Sequence, residues 1–346
     1  MIKTVLVCGV QVPLVSGGAE LLVRSLVAQF RARGYEAEEV LVPFKSYPKE
    51  ELLTHAAAWR MLDLSESNSR PIDLVIGTKF PSYWVRHPSK VVWLMHQYRA
   101  VYELCGTEFS DFEHSEGDVA LRATLIELDT RMLSECRRLY TLSRNTAERV
   151  HKYNGLEAEP LYHPSHLADR LFTAPSADYV LVVGRLEPVK RTKMAIEAMQ
   201  YVDHPIRLVV TGEGTQSRNC AELVERLDLT SRVDLLGTVD EPTLLRLYAE
   251  ALAVVYVPFD EDYGYVTLEA FLARKPVITA TDSGGTLEFV THGVNGTVCE
   301  PTAEAVAAAI NGYAADRRRA ADHGDAGHDR ASLVTWDGVI ERLTSV

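Results

Sequence analysis

Tyr179-Val180-Leu181-Val182-Val183-Gly184-Arg185-Leu186-Glu187-Pro188-Val189-Lys190 is the stretch on which the fold turns. Its unbroken apolar row is too short for a core helix. It suits a strand covered on both faces, as in a parallel sheet. Gly184 ends the row, and two cations, Arg185 and Lys190, follow in the loop. In open α/β sheets ligands bind beyond the carboxyl ends of the strands, at helix N-termini. An arginine fork and a compact lysine charge together suit a diphosphate, although a solvated loop explains the same residues about as well.

Downstream the alternation continues. Residues 193–199 read as helix, 206–211 as a strand ending at Gly212, 221–227 as helix and 233–236 as strand. Residues 243–252 (helix), 253–257 (strand), 266–273 (helix) and 276–280 (strand) follow, with helices near 303–313 and 336–343. Upstream, 162–178 holds Pro164 and Pro175 without periodicity and reads as a domain boundary. Before it come strands at 4–8, 37–42, 73–77, 90–94 and 139–142, a helix stopped by Gly34, and helices at 119–138 and 145–153. Residues 105–117 read as an exposed polar loop. Strand, loop and helix repeated in this way predict an α/β chain of two Rossmann-like doubly wound domains facing a central cleft. The expected bounds are 1–168, 169–330, and a C-terminal segment, 331–346, whose helix returns toward the first domain.

Composition agrees. The 346 residues are 47% hydrophobic and 24% charged, enough for two ordinary cores. A net charge of −12 argues against a nucleic-acid protein, which displays a basic surface to phosphates. Cys8, Cys105, Cys136, Cys220 and Cys299 are scattered without zinc-ligand spacing and read as free thiols. The start lacks the long apolar stretch of a secretory signal, and no run of apolar residues is long enough to span a bilayer, so the expected location is cytoplasmic. Arg131, Arg137, Arg138, Arg144, Arg149 and Lys152 form a basic run. A solvated helix face explains it better than a peripheral membrane contact.

Three further strand-end loops stand out. Thr211-Gly212-Glu213-Gly214 lets the backbone approach a flat ligand, or simply turns. Pro258-Phe259-Asp260-Glu261-Asp262-Tyr263-Gly264 leads into Tyr265-Val266-Thr267-Leu268-Glu269, where a helix start would aim its free N–H groups at an anion. Glu261 before that helix and Glu269 one turn inside it can address one polyhydroxylated ligand. The third loop is Asp282-Ser283-Gly284-Gly285-Thr286.

Together these residues resemble the signature region of the family 4 retaining glycosyltransferases with the GT-B fold. Glu261 and Glu269 match that family's paired glutamates, with Gly264 between them, although Tyr263 stands where the family's usual aromatic is Phe. Residues 181–190 resemble its diphosphate loop, and Gly17-Gly18-Ala19-Glu20 its N-terminal glycine loop, whose Val15-Ser16 surroundings depart from the pattern. The resemblance implies that Arg185 and Lys190, in the loop opened by Gly184, hold the donor diphosphate. Glu269 would accept bonds from ribose hydroxyls. Glu261 and the amides of Gly264, Tyr265 and Val266 would contact the hexose, with Thr267 capping the phosphate end of the helix. Gly17 and Gly18 would approach the diphosphate from the first domain, and His96 would sit beside the donor sugar with Gln97-Tyr98-Arg99 on the acceptor side. A histidine satisfied in the core is the less favoured reading of His96, given its place at a strand end.

The implied reaction is transfer of a hexose from a nucleotide diphosphate sugar, with retention, to a glycan, lipid-linked or small-molecule acceptor. It needs no cofactor and no metal, because two cations and a helix dipole face the leaving diphosphate. The turn after the first strand, Cys8-Gly9-Val10-Gln11-Val12-Pro13, does not supply the glycine pattern of a nicotinamide dehydrogenase. A nucleotide-sugar epimerase and a non-catalytic nucleotide-sugar binder remain the alternatives.

Overall fold

The computed structural model describes residues 2–14 and 17–345. Val15 and Ser16, beside the first glycine loop, lie outside the described residues. The chain divides into two compact units, 1–166 with 335–346, and 167–334.

In the first unit the elements run β1 (Thr4–Gln11), α1 (Gly18–Ala32), β2 (Glu36–Pro43), α2 (Glu51–Met61), β3 (Glu66–Ser67), β4 (Arg70–Pro71), β5 (Leu74–Gly77), β6 (Lys90–Leu94), α3 (Glu116–Ser134), β7 (Arg138–Thr141), α4 (Arg144–Asn154) and β8 (Glu159–Pro160). β3 and β4 form a small antiparallel ribbon. The other strands make one parallel sheet in the order β2-β1-β5-β6-β7-β8. β5 and β6 are buried along their whole length, as their apolar runs require of strands covered on both faces, and the Lys90 that opens β6 is buried with its Nζ on the Tyr83 and Met132 carbonyls. The expected exposed loop at 105–117 runs through turns and is largely exposed, up to the start of α3 at Glu116, with Phe112 alone buried in the core. The Ser110 hydroxyl accepts from the Phe112 amide, and Asp118 accepts from the Glu113 amide, so the loop folds down on its own side chains.

The second unit contains β9 (Tyr179–Val183), α5 (Thr192–Ala198), β10 (Arg207–Thr211), α6 (Ser217–Arg226), β11 (Val233–Leu235), α7 (Glu241–Glu250), β12 (Ala253–Val255), α8 (Tyr265–Leu272), β13 (Val277–Ala280), β14 (Gly296–Cys299), α9 (Ala303–Ala315) and α10 (Arg317–Ala331). Its sheet is parallel in the order β11-β10-β9-β12-β13-β14. β9 lies at the centre, with β10 on one side and β12 on the other. The strand order therefore reverses between β9 and β12, and the crevice at their carboxyl ends is the switch point where doubly wound folds bind ligands.

The last helix, α11 (Trp336–Thr344), belongs to the first unit. Trp336 stands edge-on to Trp93 at 6.4 Å and leans on His163 at 5.6 Å. Arg33 pairs with Asp337, and the Tyr140 hydroxyl donates to the Arg342 carbonyl at 3.1 Å. Among the described residues no helix is long and apolar enough to cross a membrane.

Candidate functional site

At the switch point of the second unit, the backbone is forced into close approach before any side chain matters. Gly184 leaves β9 at φ +134° and Gly212 leaves β10 at φ +115°. A Cβ on Gly212 would lie 2.0 Å from the Gly184 carbonyl oxygen, so the two loops touch through glycine backbone. Arg185 is exposed beside this contact. Lys190 closes a 3-10 turn that starts at Pro188, and Arg185, Lys190, Arg191, Thr192 and Tyr256 line one cavity there.

Lys190 is tied to the loop after β12. Its Nζ pairs with Glu261 Oε2 and lies 3.2 Å from the Tyr256 hydroxyl, which itself lies 2.7 Å from the same carboxylate oxygen. Lysine, tyrosine and glutamate therefore form a closed triangle. Burial, and then the Glu261 carboxylate, push the Tyr256 phenol well above its ordinary pKa. The phenol stays protonated and donates.

The loop holding Glu261 is fixed through its backbone. Glu261 N–H reaches the Ser283 carbonyl at 3.3 Å, and the Gly285 N–H reaches the Glu261 carbonyl at 2.7 Å. Gly264, at φ +78°, begins α8 with no side-chain cap. A Cβ there would meet Thr286 Oγ1 and the Tyr256 ring, both at 3.0 Å. The amide end of α8 thus lies against the ring whose hydroxyl holds Lys190 and Glu261. Inside the helix Thr267 is fully buried, and its hydroxyl, like that of Thr286, has no hydrogen-bond partner. Glu269 is 5% exposed and accepts a 2.8 Å bond from Tyr248 of α7.

The residues expected from sequence thus fall in two groups. Gly184, Arg185, Lys190, Gly212, Glu261, Gly264, Tyr265, Val266, Thr267 and Glu269 cluster at the carboxyl ends of β9, β10 and β12 and on α8. Gly17, Gly18 and His96 belong to the first unit. Gly17 caps α1, and its N–H donates to Glu20 at 2.8 Å; the other Glu20 oxygen pairs with Lys79 at 3.0 Å. His96 follows β6, and its Nδ1 donates to the Gln97 carbonyl at 2.6 Å. Gln97 is buried and bonds Asn154 at 3.1 Å.

Sequence reading missed several members. Tyr256 and Tyr248 hold the two glutamates. Arg191, at φ +52°, makes a two-pronged pair with Asp282 at 2.8 and 2.7 Å, and its guanidinium stacks over Phe259 at 5.0 Å. It pins the loops after β9, β12 and β13 together. The signal was present for Tyr256, the one polar group in an otherwise apolar strand end just before Pro258.

Residues 169–330, nearly all of the second unit, match the family model for glycosyl transferases group 1. Among curated relatives, an uncharacterized glycosyltransferase of Methanocaldococcus jannaschii is 36% identical over 119 residues, 34% of this chain and 30% of that one. The human alpha-1,3/1,6-mannosyltransferase ALG2 is 29% identical over 168 residues, 44% of this chain and 40% of that one. The chain therefore spans well under half the length of these relatives. Among solved structures, sucrose-phosphate synthase from Thermosynechococcus elongatus superposes with a TM-score of 0.80 at 17% identity, over 99% of this chain and 97% of that one. Anabaena HepE, solved in complex with UDP-glucose, gives 0.73 at 19% identity, over 99% and 100%. The fold is the GT-B fold of two Rossmann-like domains. The chain resembles the group 1 glycosyl transferases by sequence over residues 169–330.

Proposed function

We propose that the chain is a retaining, metal-independent glycosyltransferase that moves a hexose from a nucleotide diphosphate sugar to a hydroxyl acceptor. One observation carries this reading. At the switch point between β9 and β12, Lys190, Glu261 and the open N-terminus of α8 meet around Tyr256, and Arg185 lines the same cavity. Two cations and a helix N-terminus are positive groups that suit the charge growing on a leaving diphosphate, the largest kind of catalytic contribution. On this reading Glu269 accepts bonds from the ribose, Glu261 and the amides at Gly264, Tyr265 and Val266 contact the hexose, and Thr267 caps the phosphate end. Gly184 and Gly212 give the nucleotide backbone to lie against. The acceptor attacks from the face the diphosphate leaves, and a leaving phosphate oxygen takes its proton. The first unit then carries the acceptor-side residues, His96 among them, and the glycines 17 and 18.

The test is a thermal-shift screen of uridine, guanosine and adenosine diphosphate sugars, followed by the fate of the stabilising donor. A ligand at 100 times its Kd stabilises by about 2.7 kcal/mol. Slow hydrolysis of that donor supports the transferase. An altered but intact sugar nucleotide supports an epimerase, and an unchanged donor a binding protein.

A further inference from the structure

We propose that Tyr256 and Tyr248 are positioning residues for the paired carboxylates, and that Tyr256 keeps Glu261 in place when Lys190 turns from it to an incoming diphosphate. This rests on the functional reading above and extends it.

Proton inventory sets the direction of each bond. An ammonium group donates and never accepts, so the contact between Lys190 Nζ and the Tyr256 hydroxyl at 3.2 Å uses the phenol oxygen as acceptor. The single phenol proton is then committed to Glu261 Oε2 at 2.7 Å. Tyr256 donates to the carboxylate whether or not the lysine is there. The lysine's loyalty is divided, because the ammonium that pairs with Glu261 also lines the cavity with Arg185. A diphosphate docking against Arg185 and Lys190 draws the lysine toward itself and leaves a carboxylate near new negative charge. The phenol remains bonded because it is neutral, and burial keeps it so. It also cannot swing away. It is 5% exposed, and its Cε1 lies where a Cβ on Gly264 would come within 3.0 Å.

Glu269 is served in the same way from a different element. Tyr248 is fully buried on α7, and its hydroxyl donates to Glu269 Oε2 at 2.8 Å. The two carboxylates are thus oriented by two phenols from separate parts of the fold. Loss of one donor leaves the other pair intact, which separates hexose contact from ribose contact.

Tyr256→Phe and Tyr248→Phe each remove one oxygen and keep the ring, and melting curves verify the fold. The first measurement needs no turnover. The carboxyl carbon of each glutamate is titrated by NMR in the three proteins, with and without saturating inorganic pyrophosphate. Tyr256→Phe should move the Glu261 titration to higher pH, more when pyrophosphate is present, and affect that of Glu269 less. Tyr248→Phe should do the reverse. A Glu261 titration unchanged in Tyr256→Phe under both conditions overturns the proposal. The second measurement is release of nucleoside diphosphate from UDP-glucose, GDP-mannose and ADP-glucose. Tyr256→Phe should lower kcat about tenfold with KM nearly constant, and Tyr248→Phe should raise the donor KM with kcat retained. If the unmodified protein consumes none of these donors, the functional reading loses its support while the titration still decides the role of each tyrosine. If it consumes one and both variants match it, the positioning role alone is refuted.

Discussion

Lys190→Ala isolates the cation that the donor reading depends on most. The Lys190 side chain is 22% exposed, is held by Glu261 and Tyr256, and lines the same cavity as Arg185. Removing one such donor from a developing anion lowers turnover by about 100-fold or more, or roughly 3 kcal/mol of transition-state stabilisation. The folding cost is smaller. A partly screened ion pair contributes about 1 kcal/mol, which in a unit of this size moves Tm by about 2–4 °C. The two effects are therefore separable in one preparation. Single-turnover release of nucleoside diphosphate, from whichever donor the thermal screen selects, measures the first, and a melting curve measures the second. A variant with near-normal kcat would take Lys190 out of the reaction, and with it the argument that the switch point of the second unit is built around a leaving diphosphate.

Three other perturbations test the structure. Gly212→Ala sets a Cβ 2.0 Å from the Gly184 oxygen at a backbone angle side chains avoid, and should cost about 2 kcal/mol or more, whereas Gly34→Ala, at φ +84° with no atom nearby, should cost about 1 kcal/mol; equal denaturation midpoints for the two would contradict the close approach. Arg191→Lys keeps the charge but loses the fork on Asp282 and the stacking on Phe259. A double-mutant cycle with Asp282→Asn should show coupling of about 1–3 kcal/mol, and simple additivity would deny the pair its role. Burial pushes the Asp129 carboxyl up to about 6, against donors on Trp84 and Tyr102 that favour its charge. The folded protein then holds this proton more tightly than the unfolded chain does. Stability should therefore fall by on the order of 3 kcal/mol as pH rises from about 4 to about 6, and level off above. Asp129→Asn should abolish that fall in urea titrations, and parallel profiles for the two proteins would show the carboxyl is not perturbed.

How much of this could be read beforehand followed from which physical signal each residue carries. β5 and β9 announce themselves because strands buried on both faces must be continuously apolar, and β6 does so from Val91 onward. α10 did not, because its buried positions are Ala320, Gly324, Gly327 and Ala331. Its face is built from the absence of side chains, since a Cβ on Gly327 would strike the Phe271 ring at 2.2 Å and one on Gly324 the Arg274 carbonyl at 2.1 Å. A search for bulky periodic residues passes over such a helix. β14 escaped for a related reason: Gly296 and Thr297 begin it, and it pairs with β13 alone. At the site, glycines and charges in strand-end loops were legible because loop position and charge are both written locally. The tyrosines were not. Their importance lies in partners 5 and 21 residues away along the chain, made neighbours by the turn of the sheet.

The first unit is discontinuous in sequence. Its own last helix is joined to it after the whole of the second unit has been laid down, and Trp336 then covers Trp93 and His163. On a ribosome, the half that starts first must wait, with an indole and an imidazole uncovered, while the half that starts later closes its sheet unaided. A chain cut before Trp336 therefore leaves Trp93 and His163 without that indole, whereas the second unit keeps all its strands.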